Sequence, residues 1–312
     1  MAAESIVIRR AVDADLSSIL DVCASSLGWL DPEWDEALFR WKHLDNAFGR
    51  SLLLVAEDET GLVAVRAMLR WRFSTPLGTV TAVRPVDTAT KPCAQGKGLF
   101  RRLTMQAIEE LTEENVGFAF NTPNAKSRPG YLKMGWQEAG RVPITIRVRS
   151  PRTVPRTLRA RTAADKRSVD TPRLGVAAED YFSRAAALPA TAPNRVTTDH
   201  DRTTLAWRFV GGPVKYRVVQ AGDGAVVVRV RQRGRATELV VACQLGDIAE
   251  KEFRSAIRKS LDVSEADHLV MASRNTSVLR SVLGPRLTLR PLASRVPEPN
   301  DIAWSVGDIE LF

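Results

Sequence analysis

The sequence predicts an α/β fold of mixed strand order, arranged as two domains. Three observations lead there. At 312 residues the chain exceeds one average domain. Its apolar residues switch several times between alternate and helical spacing. Its second half also repeats the first at low fidelity. With 44% hydrophobic and 26% charged residues, the composition is that of an ordinary globular protein.

Ile6 to Ala11 reads as a first strand, and Asp13 or Asp15 as the cap of a helix carrying Leu16, Ile19, Leu20 and Cys23. Asp31-Pro32-Glu33 has the form of cap, first helical residue and first-turn acid of a second helix reaching Trp41. Ser51–Ala56 and Leu62–Leu69, separated by Asp58-Glu-Thr-Gly61, form a hairpin signal, and Val80 to Thr88 continues the sheet. Leu99 to Glu114 is an amphipathic helix with Leu99, Leu103, Ala107, Ile108 and Leu111 on one face. Val116–Phe120 is a short apolar strand, and Ser127 to Met134 a helix stopped by Gly135.

From about Arg149 to Thr171, prolines and arginines interrupt any apolar period, which predicts a linker. Beyond it, Phe39-Arg-Trp41-Lys42 and Leu52-Leu53 align with Leu205-Ala-Trp207-Arg208 and Val218-Val219. Gly61-Leu-Val-Ala-Val-Arg66 aligns with Gly224-Ala-Val-Val-Val-Arg229, and Arg70 and Arg72 with Arg233 and Arg235.

Several function classes lose support. Of the net charge of +9, the segment Arg147–Arg173 carries +7 (nine Lys/Arg less two acids), leaving +2 elsewhere. No aromatic interleaves those arginines, so a base has no stacking platform, and a nucleic-acid partner is not expected. No apolar run is long enough to cross a bilayer, and the start lacks a secretory core, so a cytoplasmic protein without a membrane partner is expected. Cys23, Cys93 and Cys243 and the three histidines show no disulfide or metal-ligand spacing, so no metal is expected. Cys93 is expected to be a small buried residue.

The stretch that carries chemistry is Pro92-Cys-Ala-Gln95-Gly96-Lys97-Gly98-Leu99-Phe100-Arg101, between a strand and the strongest helix. A helix start offers unpaired amides and the positive end of its dipole, and glycines before it let a phosphate approach the backbone. No Gly-Lys-Ser/Thr follows, and there is no third glycine, so neither a Walker loop nor a dinucleotide fingerprint fits. Further on, Asn124-Ala-Lys-Ser127-Arg-Pro-Gly-Tyr131-Leu-Lys-Met-Gly135-Trp136 has the form Asn-x-x-Ser-x-x-x-Tyr-x-x-x-Gly-Trp.

With both stretches in this order, residues 5–140 resemble the GNAT acyltransferase superfamily, whose loop pattern is Gln/Arg-x-x-Gly-x-Gly/Ala. Phe100 departs from it, standing where Gly or Ala is usual; its ring either narrows the loop or turns into the core. The resemblance implies two GNAT-type mixed-sheet domains in tandem. Residues 1–148 would be catalytic, 149–173 a linker and 174–312 a degenerate copy. It implies acetyl-CoA as acyl donor, with the amides of Gln95, Gly96, Lys97, Gly98, Leu99, Phe100 and Arg101 on its pyrophosphate. Thr88, Ala89 and Thr90 would lie beside the pantetheine, with Asn124 and Ser127 nearby. Tyr131 matches the general acid that protonates the departing thiolate; otherwise it is a core tyrosine.

Asp87 is the leading proton acceptor, with Glu57 behind it; Asp87 can equally cap a turn or pair with a cation. The loop holding Trp29, Asp31, Glu33, Trp34, Asp35 and Glu36 either draws a cationic amine or supplies caps and core. The expected reaction is N-acetylation of a primary amine of a small molecule by direct attack in a ternary complex, an amino sugar or glycan precursor being one candidate. The alternatives are aminoacyl or longer-chain transfer on the same fold, and a non-catalytic module binding CoA or an anion. Monomer and homodimer both stay open.

The second half has no Gly-x-Gly at Glu238–Asp247, and Arg280 falls where Tyr131 stands, so it is expected to be inactive and architectural.

Overall fold

A computed structural model describes residues 6–160, 162–184, 195–273, 284–294 and 296–310. The fold is α/β with two mixed sheets. In chain order the first elements are β1 (Val7–Arg10), α1 (Leu16–Leu27), α2 (Pro32–His43), β2 (Leu52–Asp58), β3 (Gly61–Thr75), β4 (Gly78–Thr90), α3 (Leu99–Glu113), β5 (Phe118–Asn121), α4 (Arg128–Lys133) and β6 (Gln137–Arg141). There follow β7 (Ile144–Val148), α5 (Val154–Arg159), β8 (Val176–Ala177), α6 (Ala178–Arg184), β9 (Thr197–Thr198), α7 (Arg202–Phe209) and β10 (Arg217–Ala221). The last are β11 (Gly224–Arg233), β12 (Ala236–Leu245), α8 (Glu250–Val263), β13 (His268–Ala272), β14 (Arg286–Pro291) and α9 (Val306–Ile309).

Two compact units result, and neither is continuous in sequence. One comprises Met1–Ser74, Gly78–Ala139 and Arg286–Pro297; the other comprises Thr75–Leu77, Gly140–Pro285 and Glu298–Phe312. This division departs from expected boundaries at 148 and 173. The first sheet runs β1-β2-β3-β4-β5-β14-β6, the second β7-β13-β12-β11-β10-β8. β14 pairs antiparallel with β5 through Thr288↔Asn121 and Leu289↔Phe120. β7 pairs antiparallel with β13 from His268↔Val148 to Ala272↔Ile144. The expected linker is also part of the second unit. The Asp165 and Val169 amides donate to the Gln232 and Val230 carbonyls at 2.7 and 2.8 Å, and Arg229 Nη1 donates to the Lys166 carbonyl at 2.8 Å. Backbone pairing needs no apolar period, which is why the segment reads as irregular.

In the first unit, alternation along the hairpin assigns two faces. Leu54, Ala64 and Met68 meet Leu99, Leu103, Ala107, Ile108 and Leu111 of α3, while Val55 and Val65 meet Ile19 and Val22 of α1 and Phe39 of α2. In the second unit Phe253, Ile257 and Leu261 of α8 cover Val226, Val228, Leu239 and Leu269. Its elements α7, β10, β11, β12, α8 and β13 follow the same order as α2, β2, β3, β4, α3 and β5. The expected counterpart of the Tyr131 motif, including Arg280, lies outside the described residues.

The second unit contains a buried charge cluster on β11, β12 and β13. Glu238 accepts from Arg231 Nε at 2.7 Å, Arg233 Nε at 2.5 Å and His268 Nε2 at 3.0 Å. Burial alone would raise the Glu238 pKa; His268 and the two arginines outweigh it and hold the group at about 2. A carboxylate with a depressed folded-state pKa contributes stability above its ordinary value of 4.5 and loses it as pH falls through about 2. Wild-type denaturation midpoints should therefore fall across that window, by about 3 kcal/mol at most from this group. Glu238→Gln should show a flatter pH dependence there; equal slopes would remove Glu238 as the cause.

Candidate active site

The first unit's parallel pair β4 and β5 is in register only at Ala82↔Phe118 and Val83↔Ala119. From Arg84 to Thr90, β4 therefore has no paired strand on its β5 side among the described residues. That stretch contains Asp87, Thr88, Ala89 and Thr90. Ala89 turns its side chain into the α1/α2 core, leaving its backbone on the open edge. The Thr90 carbonyl already accepts from Ser26 Oγ at 2.8 Å and Gln95 Nε2 at 3.2 Å.

The open edge runs straight into the glycine turn. A short 3-10 turn, Pro92–Ala94, buries Ala94 and leaves Cys93 exposed, contrary to the expectation for Cys93. Gly96 and Gly98 then take φ of 80° and 73°, where a side chain is strained. A Cβ on either would meet nothing within 4 Å, so both glycines border open space. The Arg101 and Arg102 amides donate to the Gly98 carbonyl at 3.1 Å, so the preceding first-turn amides of α3 face outward without an intrahelical partner. Gly98→Ala should cost about 1 kcal/mol from left-handed strain alone. A denaturation midpoint equal to wild type would show that the turn can relax to negative φ.

Leu99 anchors α3 in the core, and Phe100 resolves its own alternative by turning inward. A Cβ on Gly130 would meet the Phe100 ring at 2.8 Å, so the absence of a side chain there makes room for it. Phe100 stands edge-on to Tyr131 with ring centroids 5.3 Å apart, and Trp136 closes the other side at 5.1 Å. The Tyr131 ring is buried, while its hydroxyl makes no hydrogen bond among the described residues. Arg101 Nη1 donates to the Lys133 carbonyl at 3.5 Å, and Lys97 is exposed. Asn124 and Ser127 are engaged with each other. Asn124 Oδ1 accepts from the Ser127 amide at 2.9 Å and its hydroxyl at 3.2 Å, which fixes the entry to α4.

On the opposite face of β4, Asp87 adopts φ of 43° at a position where only backbone strain allows it. Its side chain is only 6% exposed, and Oδ2 accepts from Lys42 Nζ and from His43 Nε2 at 2.8 Å. Oδ1 makes no hydrogen bond among the described residues. Burial alone would raise the Asp87 pKa, but Lys42 and His43 outweigh it and hold the carboxyl well below the usual range. Burial lowers the His43 pKa, with Asp87 opposing and Lys42 adding, so the ring is neutral near pH 7. A carboxylate only accepts, so His43 Nε2 carries the proton, and Nδ1 accepts from Ser51 Oγ at 2.8 Å.

Sequence reasoning missed Lys42, His43 and Ser51. Their one visible signal was the Trp41-Lys42 pair, read as a repeat marker rather than as a buried cation. It also missed Arg66, which is fully buried on β3, facing α3 and α4 like Ala64 and Met68. Arg66 Nη1 donates to Thr88 Oγ1, and the guanidinium lies over the Phe100 and Tyr131 rings at 5.5 and 5.3 Å. Nε and Nη2 have no partner. Each such group costs about 1–3 kcal/mol, offset in part by the two ring faces.

The acids of the α1–α2 loop take the capping role. Asp31 accepts from the Trp34 amide at 3.2 Å, Asp35 from the Asp31 amide at 3.1 Å, and Glu36 pairs with Arg40 at 2.7 Å. Trp29 packs on Phe39, and Glu57 accepts from Arg9 Nε at 3.0 Å.

An open β4 edge, a two-glycine turn and a helix start follow one another in sequence, and this same stretch matches a known family. Residues 7–139 fit the model of the family described as Acetyltransferase (GNAT) domain. Over that part the chain is similar to GNAT acetyltransferase domains. Among curated proteins none matches. Among solved structures the chain is similar to a GCN5-related N-acetyltransferase from Kribbella flavida, with 16% identity and a TM-score of 0.60. That match covers 92% of this chain and 71% of the other. A GCN5-related N-acetyltransferase from Anabaena variabilis is 12% identical, over 93% of this chain and 73% of that one, with a TM-score of 0.59. Eis1 from Mycobacterium abscessus is 16% identical, over 92% and 74%, with a TM-score of 0.55. At these identities the likeness is one of fold. The matched residues 7–139 thus include Asp87, the β4 edge, the glycine turn and Tyr131, within one sheet and its flanking helices.

Proposed function

We propose that the protein transfers the acetyl group of acetyl-CoA to a primary amine of a small molecule, by direct attack in a ternary complex. The observation that carries this reading is the unpaired Arg84–Thr90 edge, leading into a turn whose glycines face open space. The backbone of Thr88 to Thr90 would pair with the pantetheine arm as an added strand does. The amides from Gln95 to Arg101 would hold the pyrophosphate, with the helix dipole of α3 behind them.

The amine nitrogen bonds to the thioester carbonyl carbon, and the carbon–sulfur pair leaves with sulfur. Tyr131 gives that sulfur a proton, and its unpaired hydroxyl suits the task. A carboxyl held ionised by Lys42 and His43 is a weak proton store. Asp87 is therefore assigned to drawing the amine through Oδ1, while the amine's proton leaves by way of water. The second unit, which lacks the glycine turn, is assigned no chemistry; the shared element order supports its reading as a degenerate copy.

The test is a screen of small-molecule amines with acetyl-CoA, following thiol release, with calorimetry of CoA binding beside it. Amine-dependent thiol release would support the proposal. Absence of heat with every acyl-CoA would end it, and preference for longer or aminoacyl donors would change the acyl group assigned.

A further inference from the structure

Beside Tyr131, the buried side chains of Arg66 and Trp136 carry nitrogens without a hydrogen-bond partner, two on Arg66 and one on Trp136. Arg66 is fully buried, and two of its guanidinium nitrogens have no partner, although Thr88 holds the third in place. A buried polar group left unsatisfied calls for a specific reason. A charge needed only to support the sheet would sit better as an apolar side chain, like Ala64 and Met68 on the same face. What distinguishes this spot is its neighbours. The guanidinium stacks on Phe100, from the first turn of α3, and on Tyr131. Thr88 belongs to the open edge of β4.

We propose that Arg66 is a positioning residue for acyl transfer, whose fixed positive charge stabilises the negative charge that develops on the departing CoA sulfur beside Tyr131. The inference rests on the acetyl-CoA reading above. When the carbon–sulfur bond breaks, its electron pair stays on sulfur. The Tyr131 O–H proton then moves to that sulfur, leaving the O–H pair on the phenol oxygen until solvent returns a proton. Negative charge therefore passes from sulfur to phenol oxygen, and both positions lie in the field of one desolvated cation. In an apolar pocket such a field is screened far less than in water. Arg66 has no exposed surface, so water does not screen its charge when the bond breaks.

The experiment reads charge on sulfur without turnover. CoA bound to the full chain is titrated by the ultraviolet absorbance of its thiolate, for the wild type, Arg66→Met and Arg66→Gln, with CoA affinity followed by calorimetry. The bound thiol should ionise at lower pH in wild type than in either variant, by about one unit or more. CoA affinity should stay within a few-fold. Equal midpoints in wild type and variants that all bind CoA would overturn the inference. Should neither variant fold, wild type still decides: a bound thiol that titrates like free CoA overturns it, and a lowered midpoint supports it. Failure of the wild type to bind CoA removes the donor and both readings. Binding with an unmoved midpoint removes Arg66 alone.

Discussion

Tyr131→Phe should lower kcat by about 10²- to 10⁴-fold, the usual contribution of a positioned general acid. The phenyl ring keeps its edge contacts with Phe100 and Trp136 and its place over Arg66, so the packing of α4 should survive. Only the hydroxyl is lost, and it supports no hydrogen bond among the described residues. CoA affinity by calorimetry and the thermal midpoint should both stay close to wild type. The loss should appear in kcat and kcat/KM together, because the proton is given only as the carbon–sulfur bond breaks. Turnover equal to wild type would take the general-acid role from Tyr131.

Asp87→Ala should cost about 3–5 kcal/mol of stability, because it strands a buried ammonium. Lys42 has no exposed side-chain surface, and Asp87 is its ion-pair partner. The new alanine would also inherit a positive φ, adding strain. A double variant, Lys42→Met with Asp87→Ala, removes both charges and should recover much of that loss, since an apolar pair can replace a buried ion pair at little cost. Chemical denaturation of the wild type, the single and the double variant gives the comparison. A single-variant loss below about 1 kcal/mol, the size of an ordinary substitution, would mean that water reaches Lys42.

The parts of the site that were legible in the sequence are those written locally. The α3 face is a run of one helical period, and all five of its expected apolar residues are buried. The glycine turn and the Tyr131 motif are short spacings, and the structure places both against α3 or at its start. What escaped was decided across distance. Nothing near Lys42 announces a carboxylate 45 residues away, and nothing near Arg66 announces Phe100 and Tyr131. The aligned Arg66 and Arg229 are both fully buried, so a charge placed among strand residues was the available clue. The α1–α2 loop was left open between a ligand site and caps, and there Asp31 caps α2 while Glu36 pairs with Arg40.

Strand partners were not legible either. Apolar alternation reports which face of a strand is covered, not which sheet receives it. For this reason the expected boundaries at 148 and 173 put the residues of β7 in the first domain and those of β14 in the second.

The placement of β14 has a consequence for synthesis. Thr288 hydrogen-bonds to Asn121, 167 residues earlier, and Arg290 donates to the Met134 carbonyl. On a ribosome the amino-terminal sheet would wait, with one flank of β5 bare, until almost the whole polypeptide had emerged. A nascent chain of residues 1–150 would expose that flank to chaperones or to other nascent chains, so a truncated fragment is a poor stand-in for the first unit.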